Sequence, residues 1–101
     1  MPVLKLKSPH SLSPDEATAR LKKRIAEEAE KQAQYVTELK ETVIHPNKSE
    51  YSCKVYGFNL SGNFQTTDHE IAIEVNLPFA AVMMKGMIES QLQSALDQML
   101  R

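Results

Sequence analysis

The residues of this chain best suited to acid–base or metal chemistry are three histidines, His10, His45 and His69. None stands at a zinc-ligand spacing such as His-x-x-x-His from another histidine, and Cys53, the single cysteine, has no Cys-x-x-Cys partner. His69 follows Asp68 in a polar segment typical of an exposed turn, and His10 precedes a predicted helix, where its ring can bond backbone groups. We interpret the histidines as structural, and we expect no metal site and no cofactor.

Other catalytic patterns are also missing from the sequence. No Gly-x-Ser-x-Gly nucleophile elbow occurs, and the three glycines cannot form either of the common Gly-rich phosphate loops. Cys53 lies in a strand-like segment with no base beside it, where a lone cysteine is usually a small buried side chain. We therefore expect no catalytic residues and no enzymatic activity. An enzyme built on His10 or His69 would need a carboxylate or hydroxyl group converging on one of them.

Composition excludes several other classes of protein. Twelve Lys+Arg nearly cancel thirteen Asp+Glu, which leaves a net charge of -1, whereas binding to nucleic acid needs a basic surface. One cysteine cannot form an internal disulfide, and no run approaches the roughly 20 apolar residues of a transmembrane segment. The start of the chain does not resemble a signal peptide. We expect a cytoplasmic protein that forms a single α+β domain over residues 1–101.

The first strand and the first helix are predicted from the different spacing of their apolar residues. Alternation in VLKLK, residues 3–7, predicts a short strand with one solvated face. Ser13 can then cap a helix, Pro14 suits its first position, and Ser-x-x-Glu ending at Glu16 is a capping box. Apolar residues spaced by four predict a helix from about Pro14 to Tyr35, with a thin buried stripe of Ala17, Leu21, Ile25, Ala29 and Ala33.

Four more strands are predicted before the last helix. ELKETVIHP predicts a strand that Pro46 stops, and NKSE predicts a turn. YSCKVYGF, NLSGNFQT and EIAIEVNL each alternate and are joined by short polar turns such as TDHE, which is typical of an antiparallel meander with one apolar face. We predict an α+β fold in the order β-α-β-β-β-β-α, with an antiparallel sheet and two helices packed on one face.

The other face of the meander is small, polar and almost uncharged. Its members are Ser52, Lys54, Tyr56, Ser61, Asn63, Gln65, Glu74 and Asn76. We interpret it as an open solvated face, which antiparallel sheets allow. A second sheet or a polar ligand lying on this face is the alternative.

The segment LPFAAVMMKGMIESQLQSALDQML, residues 77–100, predicts the last helix. At about 100° per residue, one broad arc should face the core, and it contains Met84, Ile88, Leu92, Ala95, Leu96 and Met99. Glu89, Gln93 and Asp97 define the opposite side, which we expect to be solvated.

Four apolar residues of this segment are not needed by that arc: Phe79, Val82, Met83 and Met87. Methionine is flexible and polarisable and is common at adaptable binding surfaces. A contiguous exposed apolar patch marks an interaction site. Either the first helix and first strand bury these residues, or they form a contact surface, and on the second interpretation they are the predicted partner-binding residues.

Three segments in this order resemble a bacterial family, the polyhydroxyalkanoic acid system proteins. They are PHSLSPDEA, VYGFNLSGNFQTTDHEIAIEVNLP and MMKGMIESQLQSAL. The matching positions are His10, Ser11 and Leu12 before the first helix, Gly62 and Phe64 in the meander, Leu77 and Pro78 after the last strand, and Lys85, Gly86, Ile88 and Glu89 in the last helix. Ser13 stands where the family usually has glycine.

The resemblance implies a granule-associated or regulatory protein of polyester storage, and it implies no catalytic residues. A storage granule is a hydrophobic polymer body, so association with it calls for an exposed apolar surface. We therefore expect a non-enzymatic accessory protein that forms a homodimer and binds the granule or a granule protein, in the cytoplasm at the granule surface. The alternative is a carrier of small apolar ligands, with a pocket between the sheet and the C-terminal helix.

Overall fold

Five strands form one antiparallel sheet, and both helices pack on the same face of it. The computed structural model describes residues 3–100, so Met1, Pro2 and Arg101 lie outside the described residues. The strands are β1 (Val3–Pro9), β2 (Val36–His45), β3 (Lys48–Val55), β4 (Phe58–Thr66) and β5 (Glu70–Asn76). The helices are α1 (Pro14–Lys31) and α2 (Lys85–Met99), and a 3₁₀ segment (Phe79–Met84) precedes α2. The order across the sheet is β1-β5-β4-β3-β2, and the predicted α+β fold is confirmed.

Helix α1 begins where the sequence predicts, but only half of the capping box forms. Ser13 Oγ accepts the Glu16 N–H at 3.1 Å, which satisfies one of the free N–H groups of the first turn. The Glu16 carboxylate accepts a hydrogen bond from Arg20 Nε at 3.0 Å instead of returning to the cap. The start of α1 is therefore held by one cap hydrogen bond and by acidic side chains at the positive end of the helix dipole.

Helix α1 ends at Lys31, four residues before the predicted Tyr35. The residues between form a turn because Tyr35 is held against the far end of the sheet. Tyr35 O accepts the Tyr56 N–H at 3.0 Å, and the two rings lie with their centroids 4.7 Å apart. Val36 pairs with Val55 immediately afterwards, so the chain must leave the helix to enter β2.

The turn between β2 and β3 is shorter than predicted. It consists of Pro46–Asn47, and the other three residues of the predicted NKSE turn belong to β3. Ser49 is fully buried there, and Thr18 Oγ1 of α1 donates to Asn47 Oδ1 at 2.9 Å. The strand thus begins directly after Asn47, because Asn47 is bound by α1 and Ser49 is buried, a placement that turn composition does not reveal.

The helix-covered face of the sheet, called the inner face below, carries two apolar clusters. The first joins both helices to β4 and β5 through the buried residues Ala17, Leu21, Phe64, Ile71 and Leu96. The second joins β1 to the start of α2 through Leu4, Leu6 and Leu77, with Ile88 packed against them. Ile73 packs against both clusters and connects them.

The buried stripe predicted for α1 is correct in its first half. Ala17 and Leu21 are buried, and Ile25 and Ala29 are half-buried. Ala33 is exposed because it lies in the turn after α1 rather than in the helix.

Gly62 is the point of closest approach between β4 and β5. A Cβ atom at this position would lie 2.6 Å from the Glu74 carbonyl oxygen, which is well inside van der Waals contact. Tyr51 pairs with Gly62 from β3, and its ring stacks on Phe64 at a centroid distance of 6.1 Å. The missing side chain therefore lets two strands close together while a neighbouring ring covers the gap on the inner face.

We expect Gly62→Ala to lower the free energy of unfolding by about 2 kcal/mol, because the added methyl group forces the two backbones apart. Gly86→Ala is the matched control, since no atom lies within 4 Å of its Cβ position. That change should be neutral or stabilising by up to about 1 kcal/mol. Urea unfolding of the three proteins measures the difference, and equal midpoints for the two variants would contradict the packing argument.

Candidate functional site

His10 joins the start of α1 to the turn between β4 and β5. Its Nδ1 accepts the Leu12 N–H at 3.1 Å, and its Nε2 donates to the Thr67 carbonyl oxygen at 2.8 Å. The His10 backbone N–H also donates to His69 O at 2.9 Å. Both ring nitrogens are therefore engaged by backbone groups, as the structural interpretation of this residue predicts.

The other candidate catalytic residues lie apart from one another. His69 is exposed in the turn before β5, and His45 is exposed at the end of β2. Cys53 is half-buried on β3, where burial raises the pKa of its thiol and so disfavours the reactive thiolate. Across residues 3–100, no three His, Cys, Asp or Glu side chains converge in a way that could hold a metal ion.

One polar cluster does form on the inner face, and it ties α1 to β2. Lys22 Nζ lies 3.1 Å from Glu41 Oε2, with both side chains about one-third exposed. Tyr51 stands directly across from Glu41 in the β2–β3 pairing and shares a hydrogen bond with its carboxylate. The buried Ser49 hydroxyl also acts on Glu41, although its geometry is too loose for a full hydrogen bond. This cluster was not predicted, because Glu41 and Lys22 read as solvated residues.

The pKa values in this cluster move away from those that acid–base catalysis needs. Desolvation alone would raise the pKa of Glu41, but the nearby Ser49 hydroxyl, the hydrogen bonds from Lys22 and Tyr51 and the charge of Lys22 outweigh it, and the pKa is lowered. Desolvation and the neighbouring Glu41 charge raise the pKa of Tyr51 to about 12. A carboxylate that stays ionised and a phenol that stays neutral make poor proton-transfer groups near pH 7. We therefore interpret the cluster as a structural contact that holds α1 on β2 and β3.

Polar side chains of helix α2 form hydrogen bonds to the edge strand β1. Ser8 is 2% exposed on the inner face of β1, and its hydroxyl donates to Asp97 Oδ1 at 2.6 Å. Gln93 Nε2 donates to the same oxygen and to the Lys7 carbonyl oxygen, each at 3.1 Å. Gln93 and Asp97 therefore contact the edge of β1, which was not predicted, although Glu89 and Asp97 are exposed as expected and Gln93 is half-buried.

The predicted core arc of the last helix is only partly buried. Ile88, Ala95, Leu96 and Met99 are at least half-buried, as predicted. Met84 is 49% exposed and Leu92 is 39% exposed, so both were wrongly assigned to the core. The prediction of one continuous helix is also corrected, since Phe79–Met84 form a 3₁₀ segment that enters α2 at Lys85.

All four predicted partner-binding residues are exposed, and we call them the apolar patch. Their exposed fractions are 78% for Phe79, 40% for Val82, 98% for Met83 and 51% for Met87. Burial under α1 and β1, the other interpretation, does not occur. Large apolar side chains this exposed and this close in sequence are unusual for a monomer surface unless they meet a partner.

Beside the patch, the outer side of α2 carries a hollow of about 530 Å³. It is lined by Gly86, Glu89, Ser90, Gln93, Ser94, Asp97 and Gln98. A second hollow of about 320 Å³ lies mainly on the polar outer face of the sheet, where Asn76 Nδ2 donates to Ser61 Oγ at 3.0 Å. Neither hollow lies between the sheet and α2.

Comparison with known proteins gives a family for this chain. A family model described as "Putative polyhydroxyalkanoic acid system protein (PHA_gran_rgn)" matches residues 4–100. The chain belongs to this family. The match includes every segment on which the resemblance was based.

Comparisons with solved structures and with curated proteins add no function. The structure titled "Crystal structure of Ara h 8.0201" has a TM-score of 0.44 at 8% identity, with 98% of this chain and 97% of that chain covered. A crystal structure of TTHA0849 from Thermus thermophilus has a TM-score of 0.36 at 9% identity, with 98% and 92% covered. TM-scores this low do not indicate a shared function. No curated protein matches the chain. Neither α1 nor α2 of this family member is long and apolar enough to cross a membrane.

We expect Asp97→Ala to lower the free energy of unfolding by about 1–3 kcal/mol, because the buried Ser8 hydroxyl loses its acceptor. The loss should shrink when Ser8 is also changed to alanine, since the two residues act as a pair. Ser94→Ala, on the exposed side of the same helix, should stay within about 0.5 kcal/mol of the parent. Urea unfolding of the set tests this, and equal effects of Asp97→Ala in both backgrounds would exclude the pairing.

We also expect Tyr51 to ionise only near pH 12 in the folded protein. Because its folded pKa lies above the unfolded value of 10.0, the stabilisation is complete below pH 10 and is lost as the pH rises towards 12. The tyrosinate absorbance of wild type, Tyr51→Phe and Glu41→Gln measures this. Tyr51→Phe should remove the latest step, and Glu41→Gln should move it to lower pH; an unchanged titration in Glu41→Gln would contradict the contact.

Proposed function

We propose that this protein is a non-enzymatic accessory protein of polyhydroxyalkanoate storage, which attaches to the granule in the cytoplasm through the apolar patch. Membership of the polyhydroxyalkanoic acid system family supports the context. The observation that carries the proposal is the exposure of Met83 and Phe79, at 98% and 78%, on one short segment before and into α2.

The patch has the properties that adsorption to a polyester surface requires. Fully burying a Phe or Met side chain contributes about 1.5–3 kcal/mol, so Phe79 and Met83 alone supply a useful part of a binding energy. Methionine side chains adapt to irregular surfaces, which suits an amorphous polymer better than a shaped pocket would. The patch lies on the 3₁₀ segment and the first turn of α2, so binding does not require a loop to become ordered.

The rest of the molecule supports an accessory role rather than a catalytic one. Both ring nitrogens of His10 are hydrogen-bonded to backbone groups. The lowered pKa of Glu41 keeps its carboxylate ionised and paired with Lys22. A homodimer and contact with a granule protein through the same patch are part of this proposal, because an exposed apolar surface serves protein partners as well as polymer.

A second candidate, a carrier of small apolar ligands, is favoured by one observation. Leu92 lies on the helix surface between Ile88, which packs on the β1 cluster, and the buried Leu96, yet it is 39% exposed. Phe58 and Val55, at the end of the inner face where β3 meets β4, are also exposed or half-buried. The inner face beside α2 is therefore incompletely covered, which is where a carrier would hold its ligand.

Flotation with polyhydroxyalkanoate particles tests the leading proposal. Wild type should float with the particles, and Met83→Glu/Met87→Glu should lose about tenfold or more in affinity, because each carboxylate would be taken out of water at the contact. Gln91→Glu/Gln98→Glu is the matched control, as it adds the same charge to exposed positions of α2 outside the patch.

Equal binding of wild type and the methionine variant would refute attachment through the patch. Binding to native granules but not to bare polymer would identify a granule protein as the contact. Saturable uptake of a free alkyl-chain probe that the methionine substitutions leave unchanged, but Leu92→Glu abolishes, would favour the carrier.

A further inference from the structure

The most outward line of α2 carries no charged side chain. Stepping about 100° per residue, it passes through Met87, Ser90, Ser94 and Gln98, all of which are exposed. Met83 lies just before this line in the 3₁₀ segment, and Glu89 and Asp97 lie on its flank. Solvated helices normally place charges on this line, as α1 does with Lys23 and Glu27. The outward line of α2 thus combines large apolar residues in its first half with small polar ones in its second.

Neutrality is what a surface needs to contact its own copy. A two-fold axis brings the same patch of both copies together, so any net charge on the patch meets its like. A contact with a different protein has no such restriction and usually gains from opposite charges. The uncharged line on α2 therefore favours a second copy of this chain as its protein partner.

The shape of the surface also suits a helix pair. Met83 and Met87 form a ridge beside the hollow of about 530 Å³, and Gly86 lines that hollow with no atom within 4 Å of its Cβ position. Helices pack by placing ridges into grooves, and the bare Gly86 backbone allows close approach. One copy thus offers both the ridge and the groove that a second copy needs.

The available area is sufficient for a stable pair. Phe79, Val82, Met83, Met84 and Met87 are 40–98% exposed. At roughly 200 Å² for a whole large side chain, they present on the order of 600 Å². With the adjoining serine and glutamine residues, the face approaches the roughly 800 Å² per partner that standard interfaces bury.

We propose that two copies of this chain pair through this face of α2 about a two-fold axis, and that pairing competes with attachment to the granule. The competition rests on the proposed function, because the same methionines cannot contact a second copy and a polymer surface together. The dimer is then the form that keeps the apolar patch covered in solution, and the granule binds the monomer.

The test combines sedimentation velocity over a dilution series with particle flotation. Wild type should dimerise, and Met83→Glu/Met87→Glu should weaken the dimer at least about tenfold, whereas Gln34→Glu/Gln65→Glu, which adds the same charge at exposed positions away from α2, should leave the dimer unchanged. Gly86→Leu separates the two contacts. Its side chain fills the groove and should weaken pairing about tenfold or more, while flotation should be retained or strengthened, because a polymer surface needs no groove.

The outcomes distinguish the pairing from the granule attachment. A wild type that stays monomeric up to about 1 mM, or a methionine variant that dimerises normally, overturns the pairing. A Gly86→Leu protein that floats less and also dimerises less overturns the competition. Circular dichroism confirms that each variant is folded. Dimerisation without any flotation of wild type would remove the proposed function and leave the pairing in place.

Discussion

The buried hydroxyl of Ser8 is the constraint on which the rest of this structure depends. It lies on the inner face of β1 and needs an acceptor there, and Asp97 supplies it at 2.6 Å. Together with the hydrogen bond from Gln93 to the β1 backbone, this contact fixes one side of α2 against the edge of β1. The side of the helix that carries Ser90, Ser94 and Gln98 faces solvent.

The groups that could do chemistry are used to join elements instead. His10 links the start of α1 to the β4–β5 turn, and Glu41 links α1 to β2 and β3. Each contact adds a polar link between elements that the apolar clusters also join. The polar residues therefore fix relative positions, and the apolar surface outside the core is left to make external contacts.

Much of the fold follows from local pattern, and the failures have definite causes. Alternation predicted the strands, and Ser13 with Pro14 predicted the start of α1, because these signals depend on neighbouring residues alone. The end of α1 was missed because Tyr35 is held by Tyr56, which lies far away in sequence. The contact of α2 with β1 through Asp97 was missed for a similar reason: apolar periodicity gives no weight to a buried serine and its carboxylate partner. The exposure of the apolar patch was one of two predicted alternatives, and its role at the granule stays a prediction.

The pairing of β1 with β5 has a consequence for how the chain reaches its folded state. Residues 3–9 form the first strand, but their partners are residues 70–76 and helix α2, the last two regular elements. Contacts of such high sequence separation form slowly because a long loop must close first. The hairpins from β2 to β5 can form as the polypeptide leaves the ribosome, whereas β1 can pair only after β5 and α2 have been synthesised. Closure of the sheet and docking of α2 are therefore late and coupled steps, and a nascent chain remains open along its β5 edge until they occur.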